Sequence, residues 1–426
     1  MKAYSEYKDS GVQWIGKVPS HWNPCRFKNF ISLINTPSKD DNKIGLENIE
    51  SGTGHFKETD SEFEGNGVQF VEDDIVYGKL RPYLRKVWLA TNKGNAIGDF
   101  FVFRAKKTNP SYIHWLMLSN GFTLEVNGST YGAKMPRVSS DFILSMRYVL
   151  PPFPEQQAIA SFLDAKTKPI DEIIAKREEQ IELLEEMKSA IISRAITKGL
   201  NPEAKMKDCG IEWIGEVPEG WEISKVKYIA SVCGRIGYRG YTTNDLVSAG
   251  EGALTIGGKH ITHNYLNLSD PDYISWEKYY ESPEIMLEKG DIVMAQRGSL
   301  GKSALIDREI GEATINPSLV ILKRIKANGV FLHYYLISNI MQDYINLINT
   351  ATAVPMISQN QIENIPISLP PLPEQQAIAS YLDTETSKID TRIAKRRKQI
   401  ELLQEYKQAL ITAAVTGKID VRELNS

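Results

Sequence analysis

The sequence predicts an α+β chain: two pseudo-symmetric mixed α/β domains joined by two long antiparallel coiled-coil helices. Three observations lead there. LPPFPEQQAIASFLD (Leu150 to Asp164) returns as LPPLPEQQAIASYLD (Leu369 to Asp383), differing only at Phe153/Leu372 and Phe162/Tyr381. Each copy runs into a long amphipathic helical pattern, and each is preceded by a variable stretch of short strand patterns. Further matches extend the duplication over nearly the whole chain. KDSGVQWIGKVPSHW (Lys8 to Trp22) pairs with KDCGIEWIGEVPEGW (Lys207 to Trp221) at an offset of 199. YIHWLMLSN (from Tyr112) pairs with FLHYYLISN (from Phe331), and PRVS (Pro136 to Ser139) with PMIS (Pro355 to Ser358), both at an offset of 219. The second variable stretch therefore carries a net 20 extra residues. The expected divisions are 1–150, 151–200, 201–369 and 370–426: domain, helical spacer, domain, helical spacer.

Taken in order, Phe27 to Ile34 reads as a helix or strand packed on the core. Strand patterns follow at Gly67 to Val71, Ile75 to Tyr77, Lys86 to Ala90 and Phe100 to Arg104, each bounded by Gly, Asn or Asp. Ser111 to Ser119 has the i, i+3, i+4 apolar spacing of a helix. The second domain repeats the order at Ala253 to Ile256, Ile292 to Ala295, Ser303 to Ile306 and Leu319 to Lys323, with a helix over Val330 to Ile348. Ile170, Ile174, Ile181, Leu184, Met187 and Ile191 form one helical stripe; Ile389, Ile393, Ile400, Leu403, Tyr406 and Leu410 form the other. Thr167 and Ser387 stand where helix N-caps are expected, with Pro169 in a first turn. A helix over Pro169 to Thr197 spans about 43 Å at ~1.5 Å per residue. Matching stripes predict a coiled coil, and a pseudo-two-fold axis between the helices makes them antiparallel, with the variable domains at opposite ends of a rod.

Composition narrows the function. The 426 residues carry 50 Lys and Arg against 53 Asp and Glu, a net charge of −3, with 42% hydrophobic residues. That composition fits two to four globular domains in solution. Lys2, Glu6, Lys8 and Asp9 interrupt any apolar leader, and no run of eighteen apolar residues occurs. Three cysteines without CxxC spacing suggest neither a disulfide framework nor a zinc site. A reduced, cytoplasmic protein without a membrane span is expected.

Motifs for chemistry fail one by one. Leu150-Pro151-Pro152-Phe153 is close to the [N/D/S]PP[Y/F] motif of DNA amino-methyltransferases, but leucine cannot hydrogen-bond a target amino group; it reads as helix-start punctuation. Gly257-Gly258-Lys259-His260 is too short for a phosphate-binding loop. His260 and His263 lack a carboxylate or cysteine beside them, so no metal site is expected. No GxSxG elbow occurs. The chain reads as a binder.

The most basic window is Tyr77 to Lys107, with eight Lys or Arg against one acid, Asp99, and six interleaved aromatics. Within it Lys79, Arg81, Tyr83, Arg85 and Lys86 are candidate DNA contacts, joined by Lys134 and Arg137 beside the PRVS segment. In the second domain GRIGYRG offers Arg235, Tyr238 and Arg239, GGKH offers Lys259, and QRGSLGK offers Gln296, Arg297 and Lys302. Glutamine suits an adenine edge and arginine a guanine edge, while Gly298 and Gly301 allow a loop to approach a backbone closely.

Together these features resemble the specificity subunit of type I restriction–modification systems. The resemblance rests on the SGVQWIGKVPSHW and CGIEWIGEVPEGW openings, the doubled LPP-x-PEQQAIA-x-x-LD unit, the helices ending ISRAITKG and ITAAVTGK, and GDIVMAQRGSLGK. It implies two target-recognition domains that each read half of a bipartite double-stranded DNA target, with the helices as ruler and as dock for two methyltransferase subunits. Restriction subunits complete the complex. S-adenosylmethionine, ATP and Mg would belong to those partners, leaving no cofactor in a non-catalytic chain. A DNA-recognition subunit from another type of restriction system, or a coiled-coil adaptor binding proteins, are the competing readings. The dissimilar variable domains predict a non-palindromic target. Inserting one helical turn near Glu182 should lengthen the gap between half-sites, read as the spacing of the methylated motif; an unchanged gap would defeat the ruler.

Overall fold

The computed structural model describes residues 2–132, 134–235, 237–349 and 354–422. It separates into two compact units, Met1–Glu179 with Arg396–Ser426, and Gln180–Lys395. Each unit thus combines one variable region with parts of both long helices, a division different from the four consecutive segments expected.

In the first unit a four-stranded antiparallel sheet runs in the order Ile31–Ile34, Phe100–Ala105, Ile75–Gly78, Val87–Leu89. Its buried face (Ile31, Ile75, Tyr77, Val87, Phe103) meets the helices Pro110–Leu118 and Asn120–Gly128 through Tyr112, Trp115 and Phe122. Val76, Trp88 and Val102, on the opposite face, join a smaller cluster with Phe70 and Ala96 of a second sheet. That sheet is ordered Pro37–Ser38, Gly67–Phe70, Gly94–Ala96, Lys43–Ile44, the last pair parallel. The second unit repeats the central sheet as Ser231–Gly234, Leu319–Lys323, Ile292–Ala295, Ser303–Leu305. Its smaller sheet is ordered differently: Leu246–Val247, Asp272–Ser275, Gly252–Ile256, Ala313–Ile315.

The expected elements are present with two revisions. The helix read over Val330 to Ile348 breaks at Ser338, giving Gly329–Ile337 and Asn339–Ile348. Ser338 is extended (φ −65, ψ 149) and its Oγ accepts from the Met341 amide. The long helices start earlier than read, as Phe153–Lys198 and Leu372–Val415, so Thr167 and Ser387 lie inside them and cap nothing. Pro169 sits mid-helix; it and Ala165, the residue whose carbonyl it leaves unbonded, are both exposed, so water can satisfy the carbonyl.

The doubled PEQQ unit pins each helix start to its domain. Trp22 Nε1 donates to Glu155 at 3.0 Å and Trp221 Nε1 to Glu374 at 3.1 Å. Gln156 Oε1 accepts from the Asn109 amide at 2.9 Å, and Gln375 Oε1 from the Asn328 amide at 2.8 Å; these asparagines are the N-caps of Pro110–Leu118 and Gly329–Ile337. The aspartate closing each PEQQ segment binds that same helix, Asp164 through Trp115 Nε1 (2.8 Å) and Asp383 through Tyr334 Oη (2.9 Å).

Within each unit the helices run antiparallel. In the first, Ile159 and Leu163 share a core with Leu410, Ile411, Ala414 and Val415, while further along Asp171 takes Lys407 Nζ at 2.6 and 2.7 Å. In the second, Ile192, Ala195 and Ile196 pack with Ile378, Ala379 and Leu382, and Lys188 Nζ meets Asp390 at 2.7 Å. The repeat offset of 219 carries Lys188 to Lys407 and Asp171 to Asp390, so the two ion pairs are copies of one device. Their surroundings differ: the Lys407 side chain is 5% exposed, that of Lys188 22% and that of Asp390 37%. Asp171→Asn strands a buried ammonium and should cost about 3 kcal/mol, whereas Asp390→Asn should cost about 0.5 kcal/mol; denaturant unfolding of the two variants measures the difference.

Candidate nucleic-acid interface

In both units the loops at one end of the central sheet meet. In the first, the hairpin loop 79–86 connects Ile75–Gly78 to Val87–Leu89, and the segment 131–137 lies against it: Arg81 N donates to Pro136 O at 2.7 Å and Val138 N to Lys79 O at 3.2 Å. Tyr131 and Arg137 exchange both backbone hydrogen bonds at 3.0 Å, closing a tight loop with Lys134 near its tip. In the second unit the loop 296–302 is held by Gly298 N to Pro355 O (3.0 Å) and Ile357 N to Gln296 O (3.0 Å). The first loop has Arg81 (φ 50) and Arg85 (φ 49) in the left-handed region where the second has Gly298 and Gly301, both at φ 75. Left-handed backbone costs an arginine roughly 1–2 kcal/mol. Strain of that kind is kept where side chains are used.

The side chains divide into those facing outward and those used by the fold. Arg81, Tyr83 and Lys134 are exposed, as are Arg297 and Lys302. Lys79 lies over the Phe101 ring (5.6 Å) and 3.8 Å from Asp99. Arg297 Nε touches Met356 Sδ at 3.2 Å. Lys86 turns inward: its Nζ donates to the carbonyls of Leu46 (2.5 Å) and Ile49 (2.8 Å), and burial lowers its pKa. Arg235 is 6% exposed, donates to Ile315 O and Thr314 Oγ1, and stacks on Tyr241; burial lowers its pKa too. Gln296 gives its amide hydrogens to Pro317 O and Leu319 O, leaving none for an adenine edge. Lys259 is held by Asp272 (2.8 Å) and Asp270 (3.0 Å), which raise its pKa. Arg239 reaches Glu284 at 3.5 Å. Arg85 lines a cleft with Glu50, Asp171 and Lys407, and its pKa is lowered by burial. The side chain of Tyr238 lies outside the described residues.

The basic window is therefore not one patch. Pairing of Phe100 with Gly78 and of Phe103 with Ile75 puts Lys79 to Lys86 at one end of the sheet and Lys106 and Lys107 beyond the other. Of its six aromatics Tyr77, Trp88, Phe100 and Phe103 are core, and only Tyr83 is exposed. Residues the sequence reading passed over also line the loop end: Tyr131, 61% exposed, and Met135, 49%. Among the described residues no group of three or more His, Cys, Asp or Glu is placed to hold a metal, and no helix is long and apolar enough to cross a membrane. His260 is structural, with Nδ1 accepting from Gly257 N (2.8 Å).

The fold defines a class, a chain with two copies of one sheet-and-helix domain, each packed on segments of both long helices. The chain belongs to the family described as type I restriction modification DNA specificity domain, whose model matches residues 28–183 and again 218–402. The type I restriction enzyme MjaVIII specificity subunit of Methanocaldococcus jannaschii is 28% identical over 443 residues, covering 96% of this chain and 95% of that protein. The EcoDI specificity subunit of Escherichia coli is 30% identical over 152 residues, 33% of this chain and 34% of that one. A solved chain from work on complex assembly and conformational transition of the type I R-M system superposes with a TM-score of 0.69 at 18% identity, covering 94% of this chain and 99% of that chain. That likeness shows the fold.

Lys86→Ala takes the side-chain donor from the buried Ile49 carbonyl and Arg235→Ala from the buried Ile315 carbonyl, and each should cost about 1–3 kcal/mol. Lys134→Ala, at an exposed loop position, should leave the melting temperature unchanged.

Proposed function

We propose that this chain is the sequence-reading subunit of a type I restriction–modification complex, recognising a bipartite, asymmetric duplex target and docking two methyltransferase subunits and, with them, restriction subunits. One observation supports this above others. The family model matches twice, and in each match the hairpin loop leaves the central sheet at the same end with different side chains upon it: Lys79, Arg81 and Tyr83 in one, Arg297 and Lys302 in the other. Loops of one build and different donor sets suit half-sites of different sequence, since base edges are read by donor and acceptor pattern. The long helices set the spacing of the half-sites and offer the partners a rigid face. In this reading adenine methylation with S-adenosylmethionine, and cleavage driven by ATP with Mg, are the partners' work, while this non-catalytic chain supplies the address. The complex acts in the cytoplasm.

Salt titration of duplex binding by the full chain with its methyltransferase subunits tests the reading. Affinity should fall steeply with salt, and Arg81→Ala or Lys134→Ala should each flatten the log–log slope by about 1 on every sequence. Lys86→Ala should leave the slope alone. Binding indifferent to salt would refute a DNA reader.

A further inference from the structure

The loop end of the first unit holds the one acid of its basic window. Asp99 accepts from Arg137 Nε at 3.2 Å and Nη2 at 2.8 Å, with Lys79 Nζ 3.8 Å away. A carboxylate there opposes phosphate binding, so its presence calls for another use. Among the described residues the second unit has no such clamp. The offset of 219 carries Asp99 to Ser318 and Arg137 to Met356. The positions are equivalent in space as well, since Arg137 bridges to Leu80 and Met356 to Arg297, each on the hairpin loop. Ser318 bonds Asn316 Oδ1 at 2.6 Å instead.

The clamp fixes Arg137 at both ends. Its backbone is tied to Tyr131 by two hydrogen bonds, and the Nε–Nη2 edge of its guanidinium is tied to Asp99. The end-on Nη1–Nη2 edge has no partner among the described residues, on a side chain 36% exposed. That edge matches the N7 and O6 acceptors of guanine in the major groove. An arginine already ordered by a carboxylate loses less rotamer freedom on binding than a free one. The exposed cations on the neighbouring loop positions, Arg81 and Lys134, suit phosphates instead.

We propose that Arg137 reads a guanine in the half-site of the first unit and that Asp99 is the residue that positions it. The proposal rests on the reading of this chain as a DNA specificity subunit. Its consequence is an asymmetry: the first half-site depends on a buttressed arginine and the second does not.

The test is the methylated motif left on a host genome by the full chain co-expressed with its methyltransferase subunits, for wild type, Arg137→Ala, Arg137→Lys, Asp99→Ala and Asp99→Asn. Arg137→Ala should make one guanine-containing base pair of one half-site degenerate, with roughly 5- to 150-fold less discrimination there, leaving the other half-site and the gap unchanged. Arg137→Lys keeps the charge and should lose discrimination at the same base pair. Both Asp99 variants remove a negative charge, so a purely electrostatic role predicts equal or tighter binding to all sequences with an intact motif. Positioning predicts degeneracy at the base pair that Arg137 reads. An unchanged motif in folded Arg137 variants, a uniform loss on all sequences, or a wild-type motif without guanine in either half-site overturns the proposal while the DNA-reading function stands. A wild-type complex that leaves no bipartite motif overturns that function itself.

Discussion

A carboxylate withdrawn from water must be met by donors, and on that requirement the architecture of each unit depends. Glu155 is 5% exposed and takes Trp22 Nε1, His21 Nε2 at 2.8 Å and the Tyr4 hydroxyl. Trp22 is fully buried, so carboxylate and indole satisfy each other in a site that water does not reach. The adjacent Gln156 is equally buried; it accepts from Thr108 and Asn109 and donates to Pro151 O at 2.9 Å. Two neighbouring residues thus tie the start of a 46-residue helix to the opening segment of the chain and to the helix that follows the central sheet. Glu374 and Gln375 do the same in the other unit with fewer partners. A few degrees of freedom at the helix start would otherwise swing the loop end of the sheet through many ångströms.

The duplicated segments were legible because they are the parts whose chemistry tolerates little change. PEQQ must keep a carboxylate beside an amide and the helices their apolar period, so repetition and periodicity revealed both, except that Met187 and Tyr406, read into the stripes, are exposed while the adjacent Lys188 and Lys407 make the ion pairs. Helix starts were misread for a physical reason. Thr167 and Ser387 have the composition of caps, but the helix is already under way, begun by Pro-Pro after the strands Arg147–Leu150 and Pro366–Leu369. Proline at 169 marks a first turn only where no earlier turn exists; here tertiary anchoring outweighs the local signal.

The interface was harder to read. Charge counting along the chain cannot see strand pairing, which sends neighbouring lysines to opposite ends of a sheet. Nor can it see that a long side chain such as Lys86 or Arg235 is a donor to carbonyls rather than to solvent. Glycine spacing did carry information: Gly298 and Gly301 mark a left-handed turn, and the same turn exists in the first unit with arginines in their place, where no pattern announced it. Asp99 stood out only as an exception to a basic run.

The smaller sheets carry a different lesson. The strand Gly67–Phe70 lies against Gly94–Ala96 in one unit, whereas Asp272–Ser275 lies against Gly252–Ile256 in the other. The parallel pair in each is the same, and so is the central sheet beneath. Strands can therefore be added on either flank of that pair while the anchored helices and the hydrophobic interior stay as they were. A chain built this way can vary the layer of short strands while the layer beneath holds still, so its outer face can change without disturbing the anchored interior.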